Sequence, residues 1–223
     1  MESSNKFLTV YFAGDLFDAK DLGGNLMLAQ AIEEVSDNRY KIFLPQDSEC
    51  EVKERSAQSI RDQDFRLLFN CDVLVANFDG CDLDSGTVVE FCFAKMMDIP
   101  TLLLRTDFRD GGDSTLPDTP PWNLMASHFP RTAILHLNAM QLYHECGNIN
   151  GVQQRLGAYY NTIAEKVVSE LDKVTARSSW LNKADVDLAL LNAVKSIGGG
   201  DGELFSAEEI LNIIRRKHSS GLY

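Results

Sequence analysis

The 223 residues, 44% of them hydrophobic and 24% charged, suffice to bury a core in one domain with a small appendage, which excludes a disordered or fibrous chain. A formal net charge of -12 excludes a polyanion as partner, because DNA and RNA are held mainly by Lys and Arg that neutralise phosphates. The five cysteines, Cys50, Cys71, Cys81, Cys92 and Cys146, are odd in number and lack both CxxC spacing and a histidine cluster, so no disulfide framework or metal site is expected and a reduced, cytoplasmic setting fits.

The first apolar run, residues 7–13, is broken at Gly14-Asp15. It is too short for a signal peptide or a membrane span, no later run approaches spanning length, and no membrane association is expected. It reads instead as a strand, as do the runs at 40–44, 72–78, 101–104 and 132–137. These runs are mostly continuous rather than alternating, the pattern of strands covered on both faces. Amphipathic stretches at 25–35, 56–69 and 86–97, and a long one at about 151–173, read as the intervening and closing helices. Strand and helix in alternation predict an α/β fold, a doubly wound, flavodoxin-like sheet of five parallel strands with helices on both faces. The expected division is an α/β domain over 1–175 and a helical extension over 176–223.

Ligands of such sheets bind beyond the carboxyl ends of the strands. Those ends carry Gly14-Asp15-Leu16-Phe17, Pro45-Gln46-Asp47, Asp79-Gly80-Cys81-Asp82-Leu83-Asp84 and the loop 105–121, long enough for a lid or an interface. No GxGxxG or GxxxxGK[ST] is present, so nothing calls for a dinucleotide or NTP phosphate cradle. In the extension, Phe205-Ser206-Ala207-Glu208-Glu209-Ile210 reads as a capping box with its hydrophobic staple and starts a helix at Ser206. The segment Asp201-Gly202-Glu203-Leu204 with Glu208 resembles the second half of an EF-hand loop, but Ile197 and Gly199 stand where the leading carboxylates belong. A turn between two packing helices is therefore expected there rather than a calcium site.

The segment Asp84-Ser85-Gly86-Thr87-Val88-Val89-Glu90-Phe91-Cys92-Phe93-Ala94 is the most informative. Asp84 and Ser85 are natural N-caps, and Glu90 then falls in the second turn among apolar residues. A solvent stripe is hard to find on such a helix. The helix N-terminus lies at the ligand edge of the sheet, where backbone N–H groups favour an anion, and Asp84 lies at the same edge. An ionised carboxylate in a partly dry site beside an aromatic hydroxyl is suited to attack a sugar anomeric carbon.

Tyr11-Phe12-Ala13-Gly14 with Phe17, Asp64 eight residues ahead of Asp72, Asp84 six ahead of Glu90, and Asn123-Leu124-Met125 form an ordered set. That set resembles the nucleoside 2-deoxyribosyltransferase family over roughly residues 7–170. The resemblance implies Glu90 as the nucleophile that attacks C1' and holds the sugar as an ester, with Tyr11 orienting it. It implies Asp64 moving a proton to or from the base, Asp84 on sugar hydroxyls, and Phe17 and Gln46 in the substrate site. Asn123 and Met125 would enter the site of a neighbouring subunit in a homo-oligomer. Substrates would be 2'-deoxynucleosides and free nucleobases, with no cofactor and no metal.

Each residue also has an ordinary structural reading. Tyr11 suits a core aromatic, Asp64 a polar helix face beside Arg61 and Asp62, and Asn123 an N-cap for 124–129. Two other functions fit part of the pattern. A nucleoside 5'-monophosphate hydrolase would need hydroxyls, Arg or a nest for the phosphate, where this chain offers Asp15 and Asp84. A non-catalytic nucleoside-binding module would need no nucleophile.

Overall fold

A computed structural model describes residues 7–48, 56–109, 119–198 and 204–223. Five strands form one sheet: β1 Leu8–Ala13, β2 Tyr40–Phe43, β3 Val73–Asn77, β4 Thr101–Arg105 and β5 Thr132–His136. All neighbours are parallel, in the order β2-β1-β3-β4-β5. The chain is thus a doubly wound α/β protein of flavodoxin-like order. Helices α1 Ala19–Val35, α2 Pro45–Ser48, α3 Ala57–Asn70, α4 Ser85–Met96, α5 Ala139–Glu145 and α6 Val152–Thr175 connect and follow the strands. The extension contributes α7 Lys183–Ile197 and α8 Ala207–Ser220.

The period-two alternation of strand side chains sorts the apolar residues into two cores. Val10, Phe12, Val73, Val75, Leu102 and Leu104 meet α1 and α6 through Leu28, Ile32, Ile163, Val167 and Leu171. Tyr11, Ala13, Leu74, Ala76 and Leu103 face α3 and α4 through Phe65, Leu68, Phe69, Phe91 and Ala94. The extension joins this second core with Leu190, Ala193, Val194, Phe205 and Ile213, and Phe205 stacks on Phe69 with centroids 5.8 Å apart. A buried ion pair reinforces the join. Arg131 donates to Asp98 at 2.9 Å, and the same carboxylate oxygen accepts from Ser179 Oγ and Trp180 N of the segment leading into α7.

The caps of α4 and α8 agree with the sequence, and α3 carries a further one. Ser56 and Ser59 form a capping box, Asp84 accepts from Thr87 N, and Ser206 and Glu209 form a second box. Helix α1 begins at Ala19, with Asp18 as N-cap, rather than near residue 25. Gly23 and Gly24 weaken the local helix signal. They sit where the helix is otherwise supported, a Cβ on Gly24 falling 3.4 Å from the Tyr160 hydroxyl of α6. Most of the EF-hand-like segment, residues 199–203, together with Cys50, lies outside the described residues. Among the described residues no helix is long and apolar enough to cross a membrane.

Candidate active site

The strand order reverses between β1 and β3, and the site forms at their carboxyl ends on the α3–α4 side. Tyr11, two residues before the end of β1, points into that core with its ring fully buried. Its hydroxyl emerges at α4 and donates to Glu90 Oε1 at 2.5 Å. The ring is thus a core aromatic, as one reading of the sequence expected, while the hydroxyl reaches the Glu90 carboxylate.

Glu90 lines a cavity of about 560 Å³ with Ala57, Ile60, Arg61, Asp64, Phe65, Ser85, Gly86 and Val89. On α3, positions 57, 61 and 64 recur at helical spacing, so one face of that helix supplies one wall. The Glu90 carboxyl is pushed up from its ordinary 4.5 to about 8, chiefly by burial, with the Tyr11 hydrogen bond pulling it down and the Asp64 and Asp84 charges adding to the rise. Tyr11 itself is held well above its ordinary value, first by burial and then by the Glu90 and Asp64 charges. An acid near neutrality beside a second carboxylate and a donor hydroxyl can carry either a proton or a charge.

Asp84 is the N-cap of α4, its Oδ2 accepting from Thr87 N at 2.7 Å and Thr87 Oγ1 at 2.9 Å. Its Oδ1 has no hydrogen-bond partner among the described residues. Asn123 caps a single 3-10 turn, Leu124–Ala126, through a bond from Met125 N at 2.9 Å. Asn123 and Met125 line a different cavity, of about 760 Å³, with Cys81, Leu83, Val88, Cys92, Trp122 and Phe129. Ser85 and Val89 line both cavities and form the ridge between them. Phe17 is 76% exposed in the loop after β1. Gln46 is tied to α1, donating to Leu22 O at 3.1 Å and accepting from Asn25 Nδ2 at 3.4 Å. Neither lines the two cavities. The structure thus brings Tyr11, Asp64 and Glu90 together and sets Asn123 with Met125 across the ridge.

Two residues at this edge, within strand-end segments that the sequence marked, had been given no role of their own. Arg105, at the end of β4, is fully buried and donates to Phe78 O at 2.5 Å, Gly80 O at 3.1 Å and Arg109 O at 3.1 Å, which braces the loop leading to Asp84. Asp79 accepts from Thr106 N at 2.5 Å, Thr106 Oγ1 at 2.7 Å and Asp107 N at 2.7 Å, tying the β3 and β4 loops. An arginine closing an apolar strand run was the available signal for the first. Among the described residues, no group of three or more His, Cys, Asp or Glu is placed to hold a metal ion.

Comparison with known proteins adds the relationship. Among solved structures, the chain resembles a conserved protein from Enterococcus faecalis V583 at 23% identity, TM-score 0.44, over 75% of this chain and 95% of that one. It also resembles a 2-desoxiribosyltransferase from Leishmania mexicana at 21% identity, TM-score 0.45, over 54% and 86%. A third is a 2-deoxyribosyltransferase from the psychrotolerant bacterium Bacillus psychrosaccharolyticus, at 18%, TM-score 0.39, over 45% and 74%. No curated protein matches the sequence. The model of the nucleoside 2-deoxyribosyltransferase family matches residues 10–125, just over half of the chain, a span that contains Tyr11, Asp64, Asp84, Glu90, Asn123 and Met125. The chain belongs to the nucleoside 2-deoxyribosyltransferase family.

Proposed function

We propose that this chain exchanges nucleobases on 2'-deoxynucleosides through a deoxyribosyl ester on Glu90. The observation that carries the reading is the Tyr11 hydroxyl at 2.5 Å from Glu90 Oε1, in a cavity that Asp64 also lines. The Glu90 carboxylate attacks C1' as the C1'–N bond breaks, and the bond electrons leave on the base nitrogen. Asp64 delivers a proton to that nitrogen. An acceptor base then attacks C1' through its own nitrogen, returns a proton to Asp64 and frees the Glu90 carboxylate. The sugar passes through an oxocarbenium-like state that the adjacent negative charge stabilises. Two carboxylates that resist joint ionisation suit this cycle, because it needs one proton and one charge between them. The Tyr11 hydrogen bond favours the charge on Glu90.

Asp84 Oδ1 is assigned to the sugar hydroxyls, and Phe17 and Gln46 to the outer substrate site. A neutral 5'-hydroxyl is favoured over a 5'-phosphate. Asp15 is raised by burial and then by Asp84, Asp21, Asp79 and Asp18, so the strand ends already crowd negative charge. A dianion there would be repelled.

A homo-oligomer with shared sites is also part of this proposal. Ser85, Val89, Cys92 and Met96 recur at helical spacing along the exposed side of α4, and Val89 and Met96 are 47% and 51% exposed. Met125, 76% exposed, lines the same cavity as Ser85, Val89 and Cys92, and its chain neighbour Leu124 is 47% exposed. An apolar stripe of this kind is suited to an interface core. In this arrangement Asn123 and Met125 serve the site of the neighbouring subunit. Residues 1–175 carry the reaction, residues 176–223 form the extension, and the cytoplasm is the expected compartment.

The test is to incubate the protein with a deoxynucleoside and a different free base and follow the exchanged nucleoside by chromatography. Donor alone should leave a deoxyribosyl adduct on the peptide containing Glu90, read by mass spectrometry. Exchange by purified Glu90→Ala at near wild-type rate would overturn the covalent mechanism.

A further inference from the structure

Among the described residues the Glu90 cavity has one cationic wall residue, and a different part of the chain fixes it. Arg61 lies on the cavity face of α3, one turn before Asp64, or ~5.4 Å along the helix axis. Its guanidinium donates through Nε and Nη2 to Asp62 Oδ1 at 2.9 and 2.5 Å, and through Nη2 to Gly198 O at 2.9 Å. Gly198 is the C-cap of α7, 137 residues further along the chain. The last carbonyls of a helix lack intrahelical partners and carry partial negative charge, so they are natural acceptors for a guanidinium. Nη1 has no hydrogen-bond partner among the described residues and is the part of the fork left for a ligand.

We infer that Arg61, positioned by the end of α7, is a specificity residue of this cavity and selects nucleobases that present a carbonyl oxygen, favouring 6-oxopurines over 6-aminopurines. The inference rests on the transferase reading and gives the extension a part in it. An arginine only donates hydrogen bonds. It therefore complements O6 and N7 of a 6-oxopurine and meets a donor at the 6-amino group of adenine. Apart from Asp64, the rest of the α3 wall, Ala57, Ile60 and Phe65, is apolar and offers a base its faces without distinguishing edges. Asp64 lies one turn from Arg61, so both can address a single base: Asp64 at the nitrogen that exchanges and Arg61 at the edge beyond.

The backbone at Gly198 explains the residue type. Its φ is +54°, in the left-handed region, and an added Cβ would meet nothing within 4 Å. Gly198→Ala therefore strains the turn that aims the carbonyl at Arg61 without a side-chain clash.

The experiment measures kcat/KM for hypoxanthine and adenine as acceptors with one deoxynucleoside donor. The wild type should favour hypoxanthine. Arg61→Ala should lower the hypoxanthine-to-adenine ratio by about tenfold, within the range of one arginine–base contact, and mostly through the KM for hypoxanthine. Arg61→Gln, whose amide complements adenine, should reverse the preference, and Gly198→Ala should shift the ratio in the direction of Arg61→Ala. Because Arg61 is 46% exposed, its replacement leaves the fold in place, which thermal melting checks. A ratio unchanged in both Arg61 variants overturns the inference and leaves the transferase reading standing. A wild-type protein that exchanges neither base overturns the transferase reading itself.

Discussion

Replacing Glu90 by Gln should stabilise the protein at alkaline pH while removing its activity. Burial, then Asp64 and Asp84, set the folded carboxyl at about 8 against the net pull of Tyr11, where an unfolded glutamate titrates near 4.5. Between those values the folded protein keeps a proton that the unfolded chain has released. Folding then takes up protons, so the contribution of this group to stability is intact below pH 4.5 and is lost as pH climbs to about 8. At about 1.4 kcal/mol per pH unit the full displacement corresponds to roughly 5 kcal/mol. The cavity admits water and Tyr11 can readjust, so we expect roughly 2–3 kcal/mol to be realised. Gln fills the same space, keeps an oxygen for the Tyr11 hydroxyl and never ionises. Urea unfolding should show the two proteins nearly equal at about pH 5, and Glu90→Gln more stable by that margin at about pH 8.5. Base exchange by the variant should be undetectable. An equal stability difference at both pH values would refute the reasoning, because it would mean that Glu90 is not held protonated by the fold.

Tyr11→Phe removes a hydrogen bond that favours the Glu90 charge, so the acidic limb of the pH–rate profile should move to higher pH. Exchange near neutrality should fall by roughly 10- to 100-fold, the scale of a hydrogen bond to a charged group; an unmoved limb would separate Tyr11 from the nucleophile. Asp98→Ala leaves Arg131 buried without its carboxylate and frees Ser179 and Trp180 N, and should cost roughly 3–5 kcal/mol in urea unfolding. A cost below ~1 kcal/mol would show that the extension does not depend on this junction. Glu90→Ala and Asn123→Ala, each impaired alone, should regain activity when co-expressed, because random mixing leaves about a quarter of shared sites intact. No gain, with mixed oligomers verified by native mass spectrometry, would place each site within a single chain.

What could be read from the sequence was what local chemistry decides. The five strands were legible because runs such as 73–77 are apolar on both faces, and the cap residues Asp84 and Ser206 marked two helix starts. Glu90 stood out as an acid in an apolar helix. The start of α1 was hidden by Gly23 and Gly24, whose propensity cost is offset by packing that no local window contains. Arg61 looked like one charge among several, and its bond to Gly198 spans 137 positions. Gln46 and Phe17 were placed at the correct strand ends, but local pattern does not tell which cavity a side chain lines.

Helix α4 shows why its sequence seemed apolar on every side. Phe91 and Ala94 face the core, Glu90 faces the cavity, and Val89, Cys92 and Met96 are exposed. A helix covered on one face by a sheet needs only one apolar stripe, so the second stripe is surplus to the requirements of the single chain. Val89 and Ser85 on that stripe also line both cavities. A neighbouring subunit seated there would exclude water from the ridge, close the outer side of the Glu90 cavity and lower the local dielectric around the carboxylate pair. The same apolar excess that makes Glu90 conspicuous would then serve its chemistry as well, by raising the strength of every charge interaction within the closed site.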